Sequence, residues 1–188
     1  MFIQTESTPN PRTLKFLPGR DVLGAGSRDY ASADAAGDSP LAQALFAVAG
    51  VERVYLGGDF LSVTRAESID WPHLKPHLLA AIMDHYTAGR PVLAGSGDAE
   101  AAEEVYEGEA AEIVKEIKDI IEARVRPAVA RDGGDITFHS WDQESGVVRL
   151  NMRGSCAGCP SSTLTLKQGI ENMLKHYVPE VTSVEQVV

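Results

Sequence analysis

The sequence predicts an α+β protein built from two small domains. Three observations carry this. Short segments of period-two alternation are interspersed with segments of helical period on both sides of the chain's middle. The 188 residues, 44% of them apolar, suit one large domain or two small ones with cores of their own. Between the two patterned regions, residues 91–108 are rich in Gly, Ala and Glu and show no clear apolar period. The expected orders are ββαββα over residues 1–90 and αββαβ over residues 109–188, joined by an acidic flexible linker at 91–108. A flexible stretch of that length spans about 23 Å r.m.s., enough for the two domains to move independently.

Residues 2–6 alternate as a strand, and Thr8-Pro9-Asn10-Pro11 interrupts it, because Pro fixes φ and restricts the residue before it. Thr13-Leu14-Lys15-Phe16-Leu17 resumes the alternation and completes a hairpin-like pair. The Gly-, Ala-, Asp- and Ser-rich stretch from Pro18 to Asp38 reads as mostly irregular. Ser39-Pro40 gives an N-cap followed by Pro at the first helical position. Leu41, Ala44, Leu45 and Val48 continue at helical spacing, and Gly50 ends the helix. Gly57-Gly58-Asp59 is a hairpin turn between Val51–Leu56 and the return strand at Phe60, Leu61 and Val63. Asp70 is the expected cap of a second helix, with Trp71, Leu74, Leu78, Ile82 and Tyr86 on one side and Gly89 at its end.

In the second module, Ile113, Ile117, Ile120, Ile121, Arg124 and Ala128 mark one helical face, which kinks or ends near Pro127. Asp132-Gly133-Gly134-Asp135 is a turn. Ile136, Phe138 and Ser140 then alternate against Thr137, His139 and Trp141. A turn at Asp142–Gly146 leads into Val147, Val148, Leu150 and Met152. A helix with Leu166, Ile170, Met173, Leu174 and Tyr177 on one side follows, Pro179 stops it, and Val181, Val184 and Val187 suggest a last strand.

The chemistry concentrates at Gly154-Ser155-Cys156-Ala157-Gly158-Cys159-Pro160, which holds the chain's two cysteines. The motif sits between a strand end and a helix start. Helix N-termini carry partial positive charge and unpaired N–H groups, which favour thiolate over thiol. Two sulfurs cannot complete a tetrathiolate centre, and no His, Asp or Glu lies in the turn. Three readings stand at this point: a thioredoxin-like dithiol/disulfide couple, a zinc ion bridged between two chains, or another metal centre to which each of two chains gives two sulfurs, a two-fold dimer being the commonest such arrangement.

The net charge of −10 argues against a nucleic-acid binder. No apolar run is long enough for a membrane span. The start, Met1-Phe2-Ile3-Gln4, lacks the marks of a signal peptide or an organelle presequence, so the expected compartment is the cytoplasm. There, two closely spaced cysteines point to metal binding or redox activity rather than a structural disulfide. His73, His77 and His85 are spaced four and eight apart on one helix, a spacing that can bind metal, but no carboxylate or Cys accompanies them. His139 and His176 read as surface or packing residues, as do Trp71 and Trp141, although Trp141 could contact a partner.

The second module resembles the C-terminal domain of NifU-like proteins, the Nfu-type iron–sulfur scaffolds and carriers. The resemblance rests on Arg126-Pro127-Ala128-Val129, Asp132-Gly133-Gly134-Asp135-Ile136, Met152-Arg153-Gly154-Ser155-Cys156-Ala157-Gly158-Cys159-Pro160-Ser161-Ser162, Thr163-Leu164 and Gly169-Ile170-Glu171. The first module resembles the N-terminal domain of mitochondrial and alphaproteobacterial members through Thr8-Pro9-Asn10-Pro11, Leu14-Lys15-Phe16, Ser39-Pro40-Leu41-Ala42, Leu45-Phe46, Gly50-Val51 and Asp59-Phe60. The resemblance implies a non-enzymatic carrier. It implies that Cys156 and Cys159 of two protomers hold one bridging [4Fe–4S] cluster, handed on to aconitase-like and lipoyl-synthase-like apo-proteins after supply by upstream assembly proteins. Spacing alone leaves [2Fe–2S] open. The missing presequence favours a bacterial cytoplasmic protein, with a processed form in the mitochondrial matrix as the alternative. The first module has no nucleophile–base pair or phosphate loop, so its expected task is recognition of donors or recipients.

Overall fold

The computed structural model describes residues 2–94, 106–157 and 160–187, leaving aside the side chains of 160–163. The chain forms two compact units, Met1–Asp98 and Ala99–Val188, each with its own hydrophobic cluster.

The first unit is an antiparallel sheet covered by two helices. Its strands are β1 (Gln4–Ser7), β2 (Thr13–Leu17), β3 (Arg28–Tyr30), β4 (Val51–Leu56) and β5 (Leu61–Arg65), ordered β1-β2-β5-β4-β3. Helix α1 (Pro40–Phe46) begins as expected: the Ser39 hydroxyl accepts from Ala42 N at 3.1 Å and donates to Val92 O at 2.7 Å. Helix α2 (Trp71–Thr87) buries Leu74, Leu78 and Ile82, whose spacing of four places them on one face against Phe16, Leu41, Leu45 and Leu61. Each such burial is worth about 1.5–3 kcal/mol relative to exposure. Asp70 stands at the N-cap of α2, but its side chain makes no capping bond; only its carbonyl accepts from the first turn.

One expectation for this unit fails. Strand β3 lies inside the stretch read as irregular, so the order is βββαββα, with a 3-10 turn at Asp34–Ala36 before α1. The strand is only Arg-Asp-Tyr and has no apolar alternation of its own. It is fixed by its partner: Asp29 lies opposite Tyr55 and forms a two-pronged ion pair with Arg53 of β4.

The second unit follows the expected αββαβ order. Helix α3 (Glu109–Ile120) runs into a π-helical turn, Ile121–Val125, and then α4 (Arg126–Arg131). The sequence reading put a kink or an end near Pro127; the structure instead widens the turn just before it. Arg126 N donates to Ile121 O, five residues back, in a stretch where Pro127 cannot supply an N–H. Strands β6 (Gly134–Trp141) and β7 (Val147–Gly154) form an antiparallel hairpin, and β8 (Ser183–Val187) pairs parallel to β7 after helix α5 (Pro160–Tyr177). So β7, α5 and β8 form a βαβ unit with the cysteine turn at its strand-to-helix junction.

The alternation expected in β6 breaks at a register shift between Phe138 and Ser140. The bulge turns both Ser140 and Trp141 inward, at 5% exposure each. Trp141 is therefore a core residue, and Tyr106 Oη accepts from its backbone N at 2.8 Å. The expected linker is fastened at both ends. Val92 packs on the first core and Ala94 N donates to Asp38 O, while Tyr106 packs on the second core. Residues 95–105 lie outside the described residues. Among those described, no helix is long and apolar enough to cross a membrane.

Candidate cysteine site

Cys156 lies two residues beyond β7, in a turn pinned to the start of the hairpin. Gly154 pairs with Gly134 across the sheet and turns the chain with φ +62°. Ser155 N donates to Gly133 O at 3.2 Å, and Ser155 Oγ donates to Asp132 O at 2.5 Å. Both bonds tie the cysteine turn to the Asp132-Gly133-Gly134-Asp135 loop. From sequence that loop carried only turn chemistry; in the fold it is the seat of Cys156.

Gly134 makes the seat. A Cβ there would stand against Cys156 Sγ and 3.0 Å from both Cys156 N and Arg153 O. Gly134→Ala therefore overpacks the site at an expected cost of about 1–3 kcal/mol. A urea titration of the second unit should show that loss, and unchanged stability would mean that the thiol does not rest on this glycine.

Behind Gly134 lies a two-pronged ion pair. Arg126 Nε donates to Asp135 Oδ1 at 2.8 Å and Nη2 to Oδ2 at 3.0 Å, while Nη1 reaches Glu122 at 2.6 Å. Asp135 is 3% exposed and also accepts from Ile136 N at 2.9 Å. These bonds hold the Arg126 guanidinium firmly charged. Sequence reasoning did not find the pair. The available signal was an Arg at the end of a helix and an Asp just beyond a Gly-Gly turn, close enough in sequence for the turn to bring them together.

The electrostatics of Cys156 correct the sequence expectation. The side chain is 7% exposed and belongs to the hydrophobic cluster of the second unit. Burial pushes the thiol up to about 12; a hydrogen bond with the Ser155 side chain opposes the shift, and the carboxylates of Asp132 and Asp135 add to it. The helix N-terminus does not produce a thiolate here. Cys156 should react with iodoacetamide at pH 8 about tenfold or more slowly than an exposed thiol, with the difference vanishing in urea. Fast modification of Cys156 itself, read by peptide mapping of the native chain, would contradict this burial. Cys159, the other predicted ligand, lies outside the described residues.

The histidines do not assemble. His85 is 1% exposed inside the first unit, whereas His73 and His77 line an open groove with Ala80, Ala81 and Asp84. His139 and His176 are exposed. Among the described residues, no group of three His, Cys, Asp or Glu side chains is placed to hold a metal.

Two family profiles divide the chain. "Scaffold protein Nfu/NifU N terminal" matches residues 3–89 and "NifU-like domain" matches residues 117–185. NifU-like protein 5, mitochondrial, of Arabidopsis thaliana is 49% identical over 186 residues, covering 99% of this chain and 68% of that protein. The chain belongs to the NifU-like family. A second NifU-like relative, NifU-like protein 4, mitochondrial, of the same plant, is 50% identical over 186 residues, 99% of this chain and 66% of that protein. The NFU1 iron-sulfur cluster scaffold homolog, mitochondrial, of Drosophila virilis is 50% identical over 188 residues, 100% of this chain and 62% of that protein. This NifU-like chain thus spans about two thirds of the length of these relatives. It matches both domains of a family of scaffold proteins rather than enzymes.

Proposed function

We propose that the chain carries an iron–sulfur cluster and passes it to apo-proteins, with Cys156 and Cys159 as its ligands. The observation that carries this reading is the cysteine turn at the β7–α5 junction of a NifU-like domain, with Cys156 held by Ser155 and Gly134. A relative of 50% identity is itself described as an iron-sulfur cluster scaffold. Two sulfurs per chain leave a four-thiolate cluster half-ligated, so the cargo bridges two protomers. The family resemblance favours [4Fe–4S], with [2Fe–2S] as the alternative. Release is ligand exchange: thiolates of the recipient replace those of Cys156 and Cys159, and no electron changes hands. Aconitase-like and lipoyl-synthase-like proteins are the recipients expected, and upstream assembly proteins the donors. The relatives are named as mitochondrial, which is consistent with the organellar alternative for the compartment.

The protonated, water-excluded seat of Cys156 suits a metal-free waiting state. A coordinating metal deprotonates a thiol outright, so cluster arrival itself supplies the force that ionises Cys156. The same seat weighs against a dithiol oxidoreductase, whose attacking cysteine needs a lowered pKa and solvent access.

The test is anaerobic reconstitution with ferrous iron and sulfide, followed by mixing with apo-aconitase. A brown chain that restores aconitase activity supports the carrier. A colourless chain that cycles between dithiol and disulfide would sink it. The first unit has its own core and brings no cysteine, so we assign it recipient recognition. Deleting residues 1–90 should leave cluster loading intact and slow delivery to at least one recipient; equal transfer rates across several recipients would refute that role.

A further inference from the structure

We infer that His73 and His77 form a clamp for a divalent transition-metal ion on the first unit, a site of its own that does not depend on the carrier reading. The pair stands at i and i+4 in α2, the spacing at which two side chains on a helix are neighbours. Both are exposed, and both line one open groove of about 610 Å³, bordered by Ala47, Val48 and Ala49 just past α1. Neutral imidazole is the commonest metal ligand in proteins, and it suits zinc, copper, nickel and iron. His85, on the same helix, is buried and takes no part.

The backbone holds the pair ready. The stretch reads Pro72-His73-Leu74-Lys75-Pro76-His77, so a proline precedes each histidine. Each proline fixes φ at its own position, and α2 runs unbroken through Pro76. Each histidine is followed by a leucine that anchors the helix in the core, Leu74 at 2% exposure and Leu78 at 0%. The pair therefore sits on a rigid element whose rotation is fixed, which positions ligands more closely than a loop does. Ala47, Ala49 and Ala81 are small, and they leave room in the groove for an ion and its waters.

The charges around the pair admit a cation. Lys75 is two residues from either histidine, so it stands on the far side of the helix. The positive end of the helix dipole works against a cation at the first turn. Two carboxylates offset it: Asp70, the N-cap, whose side chain makes no capping bond, and Asp84, which lines the same groove. The chain's net charge of −10 favours the approach of a cation further. Among the described residues, no third His, Cys, Asp or Glu completes a ligand group. The clamp thus supplies two imidazoles and leaves the remaining coordination positions to water.

The test is a titration of the unaltered full chain with Ni²⁺ alone, followed by NMR, because a paramagnetic ion broadens the signals of the residues nearest to it. The first unit brings no cysteine, so its signals report this site without interference from thiols. The signals of His73 and His77 should broaden together, at one concentration of free Ni²⁺. In His73→Gln and in His77→Gln the remaining histidine binds alone, and half-broadening should need at least about tenfold more free Ni²⁺, since the second imidazole otherwise binds as an intramolecular partner of the first. His139→Gln, in the second unit, should respond as the unaltered chain does. Binding should weaken as the pH falls, because a protonated imidazole cannot ligate. Circular dichroism of the variants should match the unaltered chain, since both positions face solvent. If either single variant keeps the unaltered affinity, the two histidines do not act as one clamp and the inference is overturned. It is overturned equally if His73 and His77 of the unaltered chain broaden at different concentrations, or stay sharp into the millimolar range.

Discussion

Cys156→Ser and Cys159→Ser should each abolish stable cluster binding while leaving the fold intact. Serine is close to cysteine in shape, and its hydroxyl is a poor ligand for iron that favours thiolate. For Cys156 the substitution enters a tight seat where Gly134 and the Ser155 bonds fix the backbone, so secondary structure should persist. The loss should be nearly complete for either single variant, because each removes two of the four ligands in a two-chain cluster. Iron and sulfide analysis after gel filtration reads the outcome. A double serine variant that retains iron in stoichiometric amount would show that the ligands lie elsewhere.

Arg126→Met should produce the largest loss of stability of any single substitution in the second unit's polar groups. Asp135 is nearly fully buried, and Arg126 supplies two of its hydrogen bonds and its compensating charge. Removing one partner of a buried pair costs about 3–5 kcal/mol; Arg126 is 28% exposed, which places the expectation at the lower end. Asp135 also borders the cysteine seat, so the stranded carboxylate should disturb Cys156 and shorten the life of a bound cluster. The urea transition of the second unit, followed through Trp141 in a Trp71→Phe background, gives the stability. The double variant Arg126→Met, Asp135→Leu should recover much of it, because replacing both members of such a pair is often neutral. A double variant as unstable as the single one would mean that the pair's charge is not what holds the loop.

The parts of this molecule that were legible in the sequence are those set by local pattern. The spacing of Leu74, Leu78 and Ile82, the Ser39-Pro40 helix start and the Gly57-Gly58-Asp59 hairpin all fall where periodicity and turn chemistry put them. The αββαβ order of the second unit was readable for the same reason. What escaped was fixed by partners distant in sequence. Strand β3 exists because Arg53 and Tyr55 receive it. The inward turn of Trp141 comes from a bulge that no alternation announces. The seat of Cys156 is the plainest case: a helix N-terminus predicts a thiolate, but Gly134, across the hairpin, draws the sulfur into the core instead. Motif spacing singled out the cysteine; only the sheet register shows its environment.

The account stands on a cluster shared between two chains, and native mass spectrometry of the anaerobically loaded protein tests that most directly. The expected species is two chains plus four iron and four sulfide. A single chain holding a complete cluster would contradict the account, as would a pair of chains joined by one zinc ion.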